Sequence, residues 1–598
     1  MKKDIALILK SVREYKIYAI FTPIFMIVES AIECLMPLFM SRLLGVVDEG
    51  NTIALANGIS LAEAIDTNKL ILFICLMVGG AILSLAAGIL GGIFAARAST
   101  GMAKNLRMDL YKKVQSFSFS NIDKFSASSL VTRMTTDIST VQMAFQMTIR
   151  MVVRAPLMMI FSVIFAFVAG GQMAWIFIGL IPVIALGFII IMILAMPTFR
   201  RVFKRYDAMN ESVEENVSGI RVVKSYVREE YEKEKFKTAS DNIAKEFIKA
   251  ERIVVWTNPI LNFAIHASNV LICAIGSYLI IGAIGQDNSP LTIPQLSALQ
   301  TYGVQILMSL MFVSMIFVML IMALEAIKRI SEVLKEEPTI LNPENPIMEV
   351  SDGSINFDHV SFKYSLEAEK NALEGLNITI KSGEFVGIIG STGSGKTSLV
   401  NLISRLYDVS EGNVIVGGHN VKDYDLITLR DAVSVVLQKN VLFSGTIADN
   451  LRWGNLHATD EEILKAAKTA QADEFVQTFP KKYDTYIEQG GSNVSGGQKQ
   501  RLCIARALLK QPKILVLDDS TSAVDTKTDK LIRESLRKDI PNTTKIVIAQ
   551  RISSIEDADK IIVMENGKIN QIGTHAELLK SNKIYQEVYN TQVRKGGN

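Results

Sequence analysis

Six apolar segments, near 17–46, 70–96, 138–169, 173–196, 253–283 and 298–323, constrain this chain more than any other feature. Each is long enough to cross a bilayer as helix, which takes about 20 residues. Lipid offers the backbone no hydrogen-bond partner, so such segments must be helical. Several exceed one bilayer width, so the helices are expected to continue into water. A hydrophobic content of 49% is high for a soluble enzyme and agrees. The excess sits in the first half. From about residue 350 the pattern is that of a soluble α/β domain, and 598 residues exceed what one domain normally holds.

Lys and Arg orient the segments. Five lie in the first sixteen residues, seven in 97–137 and thirteen in 198–252. The intervening loops carry only Lys69 in 48–69 and none in 170–172 or 284–295. The basic stretches are expected to face the cytoplasm, which puts both termini inside a multi-pass cell-membrane protein. The two long basic excursions are expected to be helical extensions, each with a short crosswise piece, near 116–125 and 215–226, able to press on a soluble partner. A net charge of +3 does not point to nucleic acid. The four cysteines, Cys34, Cys75, Cys273 and Cys503, are far apart and imply no metal or CxxC site.

Some spanning positions are polar. Glu29 and Glu33 lie four apart, on one helical face. Arg154 lies in the third segment. Ionisable groups in spanning helices face a cavity or one another. These three therefore read either as a polar substrate path or as an interhelical pairing that fixes packing.

The stretch 335–353 is rich in Pro, Asn and Glu and separates a transmembrane domain, 1–334, from a second domain, 354–598. The second contains EFVGIIGSTGSGKTS at 384–398, a strand-like run, then Gly390, Ser391, Thr392, Gly393, Ser394, Gly395, Lys396, Thr397 and Ser398, then a helix-like run. This is a P-loop in strand–loop–helix context. Its glycines let backbone N–H groups curl around phosphates, and a helix N-terminus adds positive charge. Lys396 is expected to reach the outer phosphates and Thr397 to hold Mg2+. Asp518, ending ILVLD, is the expected acidic partner of that magnesium, which makes ATP the expected ligand. NVSGGQKQR at 493–501 offers a second cradle of small residues before a helix, one that makes sense if it serves a nucleotide held by another subunit.

The order of GSTGSGKT, Gln438 in VVLQKN, VSGGQ, ILVLDD, SAVD (522–525) and KIVIAQRISS resembles the ATP-binding cassette of ABC exporters. Six N-terminal helices with cytoplasmic extensions are similar to the same family, and the likeness covers nearly the whole chain. The implied fold is a membrane all-α domain of six transmembrane helices joined to an α/β P-loop cassette. The resemblance further implies a head-to-tail dimer in which Ser495, Gly496, Gly497 and Gln498 close on the partner's nucleotide. It makes Tyr364 the adenine-stacking ring and Gln438 the link between Mg2+ and the membrane interface. With one membrane domain and one cassette, the chain is half a transporter.

Two positions depart from the family. Asp519 stands where most members have Glu as the catalytic base, and it is shorter by one methylene. Gln550 stands where the switch segment has His, and Gln cannot carry a proton near pH 7. Both belong to this chain's own P-loop, while the SGGQ motif is intact. The sequence thus resembles the degenerate-site subunit of bacterial heterodimeric multidrug exporters. That implies ATP-driven export of small amphipathic compounds with a different half-transporter as partner. A homodimeric lipid flippase, or a nucleotide-gated channel or sensor with little hydrolysis, shares the layout.

Overall fold

The computed structural model describes residues 2–282, 291–365, 368–519 and 524–596. Part of the 284–295 loop and the first two residues of SAVD lie outside these. The chain forms two compact units. One comprises Met1–Gln115 and Ala127–Glu336, the other Ser116–Ser126 and Glu337–Asn598.

The first unit is helical. Among the described residues, five runs of helix are long and apolar enough to cross a membrane. The longest, Ala127–Ser218, is divided by a 3₁₀ turn at Gly171–Ala174, where Gly171 takes φ 54°. Among the described residues this gives six apolar runs, whose bilayer-length helices are Lys16–Asn57, Thr67–Gln115, Val153–Gly170, Trp175–Ser218, Thr257–Gly282 and Ile293–Lys335. Those of 42 to 49 residues are about 60–70 Å long at 1.5 Å per residue, twice a hydrocarbon core. Continuation of these helices beyond the bilayer follows from that length.

Helix Thr67–Gln115 shows how such a helix divides its surface. Ile82 and Leu85 are exposed, whereas Ala95, Ala98, Met102 and Leu106 are fully buried. The buried stripe includes small residues, Ala87, Gly91, Ala95 and Ala98, where the neighbouring helix comes close. A Cβ on Gly91 would lie 2.4 Å from Met26 Cε. In lipid, close packing of this kind replaces the hydrophobic effect as the force between helices. The run leading into Val153–Gly170 contains two π-helical segments, Arg133–Asp137 and Thr148–Val152. Each rotates the side chains that follow it relative to a regular helix.

The second unit is an α/β domain with two main sheets. In the larger, the strands run in the order Lys568–Gly573, Lys560–Glu565, Phe385–Gly390, Thr544–Ile548, Ile514–Asp518 and Val433–Val436. All neighbours are parallel except the first pair. Ile514–Asp518 and Thr544–Ile548 are buried at all five positions, as strands covered on both faces must be. A smaller antiparallel sheet carries Leu373–Ile380, Ile355–Phe362 and Glu411–Val416. Because the central strands are parallel, Gly390, Asp518 and Ile548 all end at one edge, and the segments that follow them converge there. Open parallel sheets place ligand sites at this edge.

The short helix Phe119–Phe125 belongs to this second unit. Its Asp123 accepts a 2.7 Å hydrogen bond from the hydroxyl of Tyr407, and the ring of Phe119 packs edge-on to Tyr407. Residues 215–226 also contain a short helix, Ile220–Ser225, in the first unit.

Candidate functional site: a phosphate cradle and its switch

Strand Phe385–Gly390 turns through Ser391–Gly395 into helix Lys396–Ile403. The turn tolerates no side chains at its ends. A Cβ on Gly390 would lie 2.2 Å from the Met564 carbonyl oxygen, and Gly393 and Gly395 take φ 82° and 94°. No side chain caps the helix, so its first N–H groups stay available to a ligand. Lys396 lies across the loop, its Nζ donating to the carbonyls of Gly390 (2.9 Å) and Ser391 (2.7 Å). Burial lowers its pKa, opposed by Asp518 and Asp519.

Thr397 Oγ1 donates to Asp518 Oδ2 across 2.9 Å, which joins the loop to the end of strand Ile514–Asp518. Burial raises the Asp518 pKa, and the Thr397 bond opposes it. The next residue, Asp519, takes φ 48°, a left-handed conformation uncommon outside glycine. Its side chain meets Gln550, whose Nε2 donates to Asp519 Oδ2 across 2.8 Å. Burial raises the Asp519 pKa, while hydrogen bonds from Gln438 and Gln550 lower it. The structure thus brings together Lys396, Thr397, Gln438, Asp518, Asp519 and Gln550.

Tyr364 is half exposed and belongs to an edge-on aromatic cluster, its ring 4.8 Å from Phe362 and 5.2 Å from Tyr407. Its hydroxyl bonds Ser398 Oγ at 2.8 Å, which sets the ring beside the P-loop helix. The second cradle is organised by a capping box. Gln498 N–H donates to Ser495 Oγ and Ser495 N–H donates to Gln498 Oε1, opening helix Gly496–Leu508 through Gly496 and Gly497.

In the first unit Arg154 meets both glutamates. Its Nη1 lies 3.3 Å from Glu29 Oε1, and Nη2 lies 2.9 Å from both carboxylate oxygens of Glu33. Interhelical pairing is therefore a fact of the fold. A polar chain continues from it. Gln305 Nε2 donates to the Glu33 carbonyl at 3.5 Å, and Ser162 Oγ donates to Gln305 Oε1 at 3.0 Å.

Three residues that bear on the site escaped sequence reasoning: Tyr407, Asp123 and Gln592. Tyr407 closes the helix-like run after the P-loop and looks like a core residue there. Gln592, in the C-terminal helix, carries no local signal at all.

Residues 19–310 match the ABC transporter transmembrane region, and residues 373–522 match the ABC transporter cassette. The chain is 33% identical over 589 residues to "Uncharacterized ABC transporter ATP-binding protein YfiB" of Bacillus subtilis, covering 98% of this chain and 99% of that protein. It is 36% identical over 496 residues to "Uncharacterized ABC transporter ATP-binding protein Mb1304c" of Mycobacterium bovis, covering 82% and 84%. Its fold is similar to that of a bacterial Atm1-family ABC exporter with ATP bound, at TM-score 0.76 and 22% identity, covering 96% and 98%. The matched cassette works with ATP and Mg2+. The residues present fit that pair: a glycine cradle no side chain can enter, an uncapped helix start, and two hard oxygens on Thr397 and Asp518. The chain belongs to the ABC transporter family, with a transmembrane region and an ATP-binding cassette fused in one polypeptide.

Proposed function

We propose that this chain is the degenerate-site half of a heterodimeric exporter of small amphipathic, lipophilic compounds, with both termini in the cytoplasm. The observation that carries the reading is the Asp519–Gln550 hydrogen bond beside an intact SGGQ cap. Its own P-loop is served by a carboxylate one methylene short and by an amide that cannot shuttle a proton. The residues it lends to a partner, Ser495 to Gln498, lack nothing.

In this reading Tyr364 stacks on the adenine, residues 390–398 cradle the phosphates, and Thr397, Gln438 and Asp518 hold Mg2+. The metal neutralises charge on the outer phosphates when bound. Closure of the two cassettes lays Ser495–Gln498 over the partner's P-loop, where most hydrolysis occurs. At this chain's site Asp519 and Gln550 orient water poorly, so nucleotide persists through several cycles and keeps the cassettes associated. Helix Phe119–Phe125 and residues 215–226 carry closure to the spanning helices. The Glu29–Arg154–Glu33 cluster lies on the substrate path and selects for charge.

Intact-complex mass spectrometry of the tagged protein, gently extracted from its native host, tests the pairing. The expected result is one 66.0 kDa chain with a different half-transporter. Two copies of this chain would reject it.

A further inference from the structure

The last helix of the chain, Lys583–Gly596, holds the switch segment by its backbone. Gln592 Oε1 accepts from the Ile552 N–H at 2.9 Å, and Gln592 Nε2 donates to the Gln550 carbonyl at 2.7 Å. A glutamine side chain ends in a primary amide, which like the backbone amide can both accept and donate. Here both are used on one strand of chain, as in a two-bond β pairing. The orientation is unambiguous, because the flipped amide would face acceptor to acceptor and donor to donor.

The segment around this clamp is anchored on either side. Upstream, Ala549 N–H donates to the Ile388 carbonyl at 3.1 Å, tying it to the P-loop strand. Downstream, Ser554 Oγ donates to Asp529 Oδ2 at 2.9 Å, and Arg533 Nη2 donates to the Ser553 carbonyl at 2.8 Å. Between these anchors lie Gln550 and Ile552, whose backbones Gln592 grips. The helix itself is fixed by Tyr585, which is fully buried and bonds His575 Nδ1 at 2.7 Å. Gln550, so held, reaches Asp519.

We infer that Gln592 is a positioning residue: it makes the C-terminal helix a latch that sets where the Gln550 amide points, and hence how well this site tells ATP from ADP. The inference rests on the proposed place of Gln550 beside the outermost phosphate. It does not depend on whether the partner is a second copy or a different chain.

The test uses the full-length complex and a binding readout free of hydrolysis. Photolabelling of this chain by 8-azido-ADP is competed with AMP-PNP or with ADP at 4 °C. Gln592→Met keeps length and packing but drops both bonds. Gln592→Glu keeps the acceptor for Ile552 and drops the donor. The expected result is an AMP-PNP-over-ADP preference reduced about fivefold by Met and at least as much by Glu, whose second carboxylate oxygen would face the Gln550 carbonyl, with ADP affinity unchanged; fivefold is ~1 kcal/mol at 1.4 kcal/mol per tenfold. A purely structural role for Gln592 would move both affinities together. That result, or an unchanged preference in the Met variant, would overturn the latch. Subunit composition, measured separately, decides the pairing of chains without touching this outcome.

Discussion

Gln550 and Asp519 are joined side chain to side chain, 2.8 Å apart, at the edge where the parallel strands end. Gln550 stands at the proposed switch position, and Asp519 follows the aspartate proposed to hold Mg2+. Restoring the longer base and the ionisable switch together, as Asp519→Glu with Gln550→His, should raise hydrolysis at this chain's P-loop by about 100-fold, the worth of a misplacement near 1 Å. Single-turnover release of the γ-phosphate from nucleotide bound to this chain measures it. An unchanged rate would mean that neither residue limits the step.

Arg154 is the sole cation within ion-pair distance of Glu29 and Glu33 among the described residues. Arg154→Met leaves two carboxylates in the spanning bundle, Glu29 only 7% exposed. A loss of about 3 kcal/mol is expected. Adding Glu29→Gln and Glu33→Gln should recover most of it. Thermal midpoints of the full chain in detergent check both steps, and a single variant as stable as the parent would refute the role of the pair in holding the fold.

Lys545 is 3% exposed on the central strand. Burial pushes its ammonium from 10.5 down to about 8, with Arg537 adding to the shift and Asp559 opposing it. Between about pH 8 and 10.5 the unfolded chain therefore binds more protons than the folded one. Stability from this group rises with pH across that window and is lowest below it. Lys545→Met should stabilise the cassette at pH 7 by up to about 3 kcal/mol, and the advantage should shrink towards pH 10. Denaturant midpoints of the full chain at the two pH values read the difference.

The Tyr407 hydroxyl donates to Asp123, and burial together with that carboxylate raises the phenol's pKa. Tyr407→Phe keeps the ring against Phe119 and Tyr364 and removes only this bond. A hydrogen bond to a charged group contributes about 1.5–3 kcal/mol. Basal ATP hydrolysis should stay within about twofold while efflux of a lipophilic dye per ATP falls. Asp123→Asn, which keeps an acceptor, should lose less. Equal efflux in all three would show that the bond carries nothing between helix Phe119–Phe125 and the cassette.

Much of the architecture could be read from the chain alone, because it is written in local patterns. Apolar runs longer than a bilayer force helices, and a strand-like run before GSTGSGKT forces the P-loop turn, since Gly390 and Gly395 sit where any side chain would collide. The two departures at 519 and 550 were equally plain, being substitutions inside recognisable motifs. Which side chains meet across the fold was not. Arg154 finds Glu33 from 121 positions away, and its facing depends on how far the π-helical segment Thr148–Val152 rotates the helix before it. Asp123 meets Tyr407 across 284 positions, and Gln592 meets Gln550 across 42. Sequence determines what each element is, because helix, strand and turn are decided within a few residues by periodicity and backbone sterics. Only tertiary structure decides these pairings, because they depend on rotations and offsets of whole elements that are settled by packing among segments far apart in the chain.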